Sequence, residues 1–329
     1  MKFRIPTLQS GGLIVNYACS SKCGHCHYNS SPQRNKDYIT VYTAQKIFSF
    51  LKRNGCSSIH IGGGEPFLQI EKLKDVLATA KEYNINIEYI ETNSSWFKSE
   101  QQATEVLRNL QDLGVNMLLL SISPLHNEYI PFQKVEGLIK ACQKQQVSIF
   151  PWIRDFAPDI VQMDKTKPHS LDEYQELFGI DYKENIIRRY GLSIGGRAIE
   201  TFRDSYIDKE YTEVLKEQPT CSSYFTNTSH FHIDLYEKYI PCHCVGFQFD
   251  IDDLEDGIDD TKYPLANSIY KDGINGAFGY AKNIGFTTKN SYISACEMCE
   301  DIRHFLWKTK HTNEIGPNGF YKEIKTRGK

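Results

Sequence analysis

Cys19, Cys23 and Cys26 stand in C-x-x-x-C-x-x-C spacing directly after the apolar run Leu13-Ile14-Val15. Thiolates this close together can converge on one iron–sulfur cluster. A [4Fe–4S] cube has four irons, so three cysteines leave one iron open to another ligand. A structural metal site is normally closed by a fourth protein ligand, whereas a catalytic site keeps a position open. Locally, His25 and His27 are the residues that can close it. The competing chemistry is a structural zinc site built from the same cysteines and a histidine, although zinc cysteines usually come in separated pairs.

Such a loop needs elements to carry it. Short apolar runs at 11–17, 57–62, 85–92, 115–123, 147–154 and 190–196 alternate with amphipathic stretches at 43–54, 71–84, 98–114 and 134–145, and a looser one at 171–189. Six strands alternating with helices predict a parallel α/β sheet. Runs apolar on both faces, such as Met117-Leu118-Leu119-Leu120, fit strands covered by helices. Alternation alone does not separate an open doubly wound sheet from a barrel. The strand ends carry polar residues. Gly63 and Gly64 permit close backbone approach, and Pro66 stiffens the exit behind Glu65. Asn93 and Ser121 can contact a ligand or cap the next helix, and Arg197 can clamp a carboxylate bidentately or lie on the surface.

The composition narrows the class. With 329 residues, 40% of them hydrophobic, the chain can bury a full core and has room for a second, smaller domain. A net charge of −3 with no basic stripe disfavours a nucleic-acid partner. Neither an export signal nor a membrane-length apolar stretch is present, so the expected location is the cytoplasm. There, ten cysteines read as metal ligands and reduced thiols rather than disulfides. Cys56 and Cys142, each alone, read as small buried apolar residues. The acidic run 250–260 breaks the calcium-loop pattern at Leu254 and reads as a solvated loop or a contact for a basic substrate.

The triad after the first strand, with Gly63-Gly64-Glu65-Pro66 after the second, resembles the radical S-adenosylmethionine (SAM) superfamily. The resemblance implies a partial (β/α)6 TIM-like barrel, here over residues 1–200, with its site at the C-terminal strand ends. It implies a [4Fe–4S] cluster on Cys19, Cys23 and Cys26 whose free iron chelates SAM. One electron then cleaves SAM to a 5′-deoxyadenosyl radical that abstracts hydrogen from a substrate. Glu65 resembles the residue that pairs with the SAM amino group. His25 occupies the place of the usual aromatic residue near the adenine, and Gly63, Gly64, Asn93, Ser121 and Arg197 complete the expected cofactor-binding set.

Beyond the barrel lie Cys221, Cys242, Cys244, Cys296 and Cys299. The stretch 229–242 alternates around Glu237-Lys238 and predicts a β-hairpin ending in cysteine, and Cys296-x-x-Cys299 opens an amphipathic helix. This layout over 201–329 resembles the Twitch or SPASM-type extension, which implies an auxiliary [4Fe–4S] cluster. Four thiols complete one cluster, so one of the five is left over. The expected ligands are Cys221, Cys242, Cys296 and Cys299, with Cys244 spare; a four-cysteine zinc site is the alternative.

The layout is similar to small maturases of ribosomally made peptides, especially peptide epimerases, in which a thiol returns hydrogen to the substrate radical. Cys244 is the expected donor; the alternatives are that Cys244 is itself the ligand with Cys242 spare, or that it is a buried packing residue. The implied partners are a peptide or small-molecule substrate and an external electron donor of flavodoxin or ferredoxin type. The chain enters its first strand almost at once, so a peptide is expected to bind the barrel mouth directly or to arrive with a separate partner. The other readings are peptide thioether or carbon–carbon crosslinking, epimerisation or oxidation of a sugar-like metabolite, and a non-enzymatic electron-transfer or zinc scaffold.

Overall fold

A computed structural model describes residues 2–217, 220–311 and 313–324. Five strands and their helices follow the alternation: β1 (Gly11–Ile14), α1 (Val41–Arg53), β2 (Ser58–Gly62), α2 (Ile70–Glu82), β3 (Asn86–Thr92), α3 (Glu100–Asp112), β4 (Met117–Ser121), α4 (Phe132–Gln145) and β5 (Ser148–Trp152). Each helix buries one stripe. In α1 it is Ala44, Ile47, Phe48 and Leu51, and in α3 it is Ala103, Val106, Leu107 and Leu110, the i, i+3, i+4, i+7 spacing of a single face. Thr40 and Ser99 cap these two helices by accepting the Thr43 and Gln102 amides. Against them the strands turn apolar residues, among them Ile59 and Ile61 of β2, Ile87 and Ile90 of β3 and the fully buried Leu118 and Leu120 of β4. Cys56 and Cys142 are buried in the same core.

The region 171–189 folds as two short helices, α5 (Leu171–Phe178) and α6 (Tyr182–Tyr190). The run 190–196, expected as the sixth strand, is not one. Gly191 is the left-handed cap of α6, and Gly196 passes so close to the cysteine loop that a Cβ there would stand 2.6 Å from the His27 carbonyl oxygen. Three glycines and this contact put the segment against the loop instead of in the sheet.

The sixth parallel strand comes from later in the chain. β6 (Phe231–Asp234) pairs with β1 in parallel, from Gly11 opposite Phe231 to Ile14 opposite Asp234. It then turns back antiparallel into β7 (Lys238–Ile240) and β8 (Phe249–Asp250). The turn forms because Asp234 Oδ1 accepts the Tyr236 and Lys238 amides while Glu237 adopts positive φ. The sheet order is β8-β7-β6-β1-β2-β3-β4-β5, an open, parallel-rich α/β sheet with β5 and β8 as its edges. The acidic run is held by lysines, with Asp252 on Lys46, Asp253 on Lys262 and Asp250 on both Lys238 and Lys262. Further along lie α7 (Pro264–Lys282) and α8 (Ala295–Thr309), which pack on one another.

Phe231 is fully buried, stacks on Tyr239 at 5.6 Å and fills the space that Gly11 leaves. Phe231→Ala is expected to cost about 3–5 kcal/mol, the usual range for a buried phenylalanine. Denaturant unfolding measures it, and a loss below about 1 kcal/mol would show that β6 is not built into the core.

Candidate functional site

The exits of β1 and β2 are tied together by direct hydrogen bonds. The Gly64 amide donates to the Asn16 carbonyl (2.9 Å), the Glu65 amide to the Ala18 carbonyl (2.9 Å), and Asn16 Nδ2 to the Glu65 carbonyl (3.0 Å). Gly64 has to be glycine here, because a Cβ would meet the Ala18 carbonyl oxygen at 2.0 Å. The glycines thus let two loops touch, whatever ligand they also approach.

Glu65 is fully buried and accepts three bonds: from the Phe67 amide (3.2 Å), the Thr92 hydroxyl (2.9 Å) and the Asn93 amide (2.8 Å). Desolvation still pushes its pKa up to about 7, against these three donors. It does not line the cavity; the carboxylate that does is Glu91. Asn93 passes the restraint on, because its Nδ2 donates to Cys19 Sγ (3.5 Å), Ser20 Oγ (3.0 Å) and Ser21 Oγ (3.3 Å).

The three thiols of the triad share one environment. Cys19 Sγ also accepts the Ser21 amide and Cys26 Sγ the Ser30 amide, both at 3.4 Å. Burial and the neighbouring sulfurs push the Cys23 thiol up, and burial with the Glu65 charge puts Cys19 at about 12. Arg197 opposes both shifts. Its guanidinium donates to the Cys23 and Ser30 carbonyls, each at 2.8 Å, and its amide to the Cys26 carbonyl. The expected carboxylate clamp is therefore a brace across the cysteine loop, with both terminal nitrogens already engaged.

The triad opens into a cavity of about 470 Å³ whose walls include Gly63, Gly64, Asn93, Ser121, His25 and Glu91. His25 packs edge-on against His126 and beside Tyr190, and its Nδ1 is buried without a hydrogen-bond partner. Burial holds His126 at about 4 and His25 well below its ordinary value, so both rings are neutral. The side chain of Glu91 is 37% exposed, yet desolvation inside the cavity, with the Glu65 charge second, lifts it to about 7. His126, Tyr190 and Glu91 had no signal in the sequence: each is a single residue inside a strand, helix or turn, brought in by the tertiary fold.

At the other end of the chain, the thiol whose electrostatic neighbours are Cys221, Cys296 and Cys299 is Cys244, where the expected ligand set has Cys242. Cys221, Cys244, Cys296 and Cys299 form one group. Cys299, Cys221 and Cys296 all act on the Cys244 thiol, and Cys299 and Cys296 act on Cys221. No neighbouring thiol acts on Cys242: it is buried, its pKa is raised by burial alone, and it raises Tyr28, as well as Tyr239 and Tyr224, which Cys244 also raises. The cause is the turn after β7, where His243 adopts positive φ and the Cys244 amide bonds the Pro241 carbonyl, so the two thiols fall into different surroundings. Pro241 and His243, on either side of Cys242, line the cavity.

Residues 13–156 match the family described as the radical SAM superfamily. These residues form a radical SAM domain. The chain is 24% identical over 207 residues to YydG of Bacillus subtilis (strain 168), whose name assigns it provisionally to peptide biosynthesis; the alignment covers 63% of this chain. The chain spans about three fifths of that relative's length, 61%. Among solved structures it is similar to Streptococcus suis SuiB bound to precursor peptide SuiA (15% identity, 98% of this chain and 77% of that one, TM-score 0.38). It is likewise similar to anSMEcpe with bound AdoMet (13% identity, 92% and 98%, TM-score 0.43).

Membership of a radical SAM domain implies a [4Fe–4S] cluster and SAM, and the residues present fit both. Three soft donors on one loop, two of them receiving backbone amides and all braced by a cation, suit an anionic cluster with one open iron. A cavity beside them, with an unpartnered buried ring nitrogen at His25, suits a polar cofactor.

Glu65 gives a pH test of this packing. Between pH 4.5, where an ordinary carboxyl ionises, and about 7, the native state retains a proton that the unfolded chain has released. This group therefore withdraws stability as pH rises through that window. Glu65→Gln is expected to show a shallower fall in urea midpoint from pH 4.5 to 7 than the parent chain; equal slopes would mean that Glu65 ionises as an exposed carboxyl does.

Proposed function

We propose that this radical SAM enzyme acts on a peptide and inverts an α-carbon, with Cys242 returning the hydrogen. The observation that carries the reading is a buried thiol left out of the four-cysteine group, two residues from it in sequence and flanked by cavity-lining residues. The relative named for peptide biosynthesis supports the substrate class.

When bound to Cys19, Cys23 and Cys26, the cluster and SAM supply one-electron hydrogen abstraction. Gly63, Gly64, Asn93, Ser121 and His25, which line the cavity, would hold the cofactor, while Glu65 fixes Asn93 and Arg197 fixes the loop. Neutral His25 and His126 keep additional positive charge away from the sulfonium. Burial keeps Cys242 a thiol, since its pKa is raised, and the thiol rather than the thiolate carries the hydrogen to be donated. Its S–H bond breaks as the C–H bond forms on the face opposite abstraction. The sulfur radical left behind takes one electron and one proton, the electron supplied by an external donor of flavodoxin or ferredoxin class. Cys221, Cys244, Cys296 and Cys299 fit an auxiliary cluster, with Arg303 lowering the Cys244 and Cys296 thiols toward the ligand form.

Two variant sets test this on anaerobically reconstituted enzyme. Replacing Cys19, Cys23 and Cys26 by alanine should abolish 5′-deoxyadenosine formation and leave about four irons per chain on the second group. Persistent SAM cleavage would remove the reading, and an iron-free, zinc-loaded variant would support a structural zinc site.

Cys242→Ala should keep both clusters and SAM cleavage but yield no epimerised product, whereas Cys244→Ala should lose about four irons. In deuterated water, mass spectrometry should find one solvent deuterium per inverted residue. Full product from Cys242→Ala would exclude it as donor. A peptide lighter by two hydrogens would point to crosslinking or oxidation.

A further inference from the structure

Next to the cavity, the sheet places two histidines on either side of a glycine. Gly12 pairs with His60 of β2 and with His232 of β6, both in parallel register. Aligned residues of neighbouring strands share a face, so both rings stand over Gly12, where a Cβ would meet His60 Nε2 at 2.2 Å. His230 precedes His232 by two residues and joins them, its ring 5.2 Å from His60 and 4.9 Å from His232. The sheet interior is otherwise the natural place for apolar side chains, and buried polar groups there are costly without a partner.

The geometry is that of a ligand set. His60 Nε2 and His232 Nε2 are 3.2 Å apart, and one nitrogen from each of the three rings lies within 4.8 Å of the others. Two imidazole nitrogens on one tetrahedral Zn2+ at about 2.0–2.1 Å stand roughly 3.3–3.4 Å apart. Among the described residues this is the one such grouping of histidine, cysteine or acidic side chains that meets the distance condition. His60 is also positioned as metal-binding histidines are: it hydrogen-bonds the Gly11 backbone and stacks on Tyr89 at 5.0 Å and 8°. Glu91 Oε1 approaches His60 Nε2 at 3.8 Å, and His230, His232 and Glu91 all line the cavity.

We propose that His60, His230 and His232 bind one divalent first-row transition cation of the Zn2+ class, with a remaining coordination position facing the cavity. That position would take water or a substrate carbonyl or carboxylate oxygen, with Glu91 beside it as a further anionic partner. The site uses no residue of either cysteine group and stands or falls independently of the epimerase reading.

The test is made on reconstituted enzyme, whose cysteine groups are filled with iron. After equilibration with Zn2+ and removal of the excess, the parent chain should retain about one more zinc than His230→Ala or His232→Ala, at equal iron content. Zinc-edge X-ray absorption should show imidazole nitrogens and no sulfur. His230 is exposed, so its alanine variant keeps the fold, and an unchanged thermal midpoint checks this. Equal zinc in parent and variants, or zinc bound through sulfur, would overturn the proposal.

Discussion

Everything at the site depends on one buried carboxylate. Glu65 joins three strand exits: its backbone bonds to the β1 exit, its side chain accepts from Thr92 and Asn93 at the β3 exit, and it sits itself at the β2 exit. Through Asn93 it reaches Cys19. A carboxylate taken fully out of water is tolerated only when its lone pairs are filled, and three donors fill most of them. The ends of three strands thus move as one body, which is what a loop must do to present three sulfurs to one cluster. Arg197 completes the restraint from the far side by holding the carbonyls of Cys23 and Ser30.

This explains why the centre was readable in the sequence and its surroundings were not. The triad and Gly63-Gly64-Glu65-Pro66 are contiguous, so residue type and spacing state their chemistry directly. The five β/α units were legible too, since helices burying one stripe and strands burying both faces leave different periodicities. The sixth parallel strand was misplaced because the run 190–196 alternates as a strand can, while the left-handed cap at Gly191 and the contact of Gly196 with the cysteine loop divert it. The true partner of β1 lies 220 residues away, at a separation where local pattern says nothing about pairing.

Glu65 and Arg197 show a related limit. A charged residue at a strand end suggests contact with a ligand, yet both side chains spend their hydrogen bonds on the protein. The wall residues that the sequence passed over, Glu91, His126 and Tyr190, come from three separate elements and meet only in the folded cavity. Cys242 and Cys244 could not be told apart by spacing, because their difference is the backbone conformation of the residue between them. Positive φ at His243 sends one thiol to the C-terminal cysteines and leaves the other near Tyr28.

The hairpin connects these facts. By pairing β6 to β1 it puts His232 across Gly12 from His60, with the exposed His230 just before the strand, and by turning into β7 it leads into the turn that carries Cys242 and Cys244. The same hairpin that finishes the sheet therefore supplies two imidazoles of the cavity wall, His230 and His232, and the thiols of Cys242 and Cys244. Such an element is poorly replaced in pieces: a shift of its register by one residue would turn His232 away from Gly12 and Asp234 away from Tyr17, whose hydroxyl it accepts at 2.8 Å. Sheet register is thus the common constraint on both ends of the cavity, and the fully buried Asp234–Tyr17 bond, next to the cysteine loop, is what pins it.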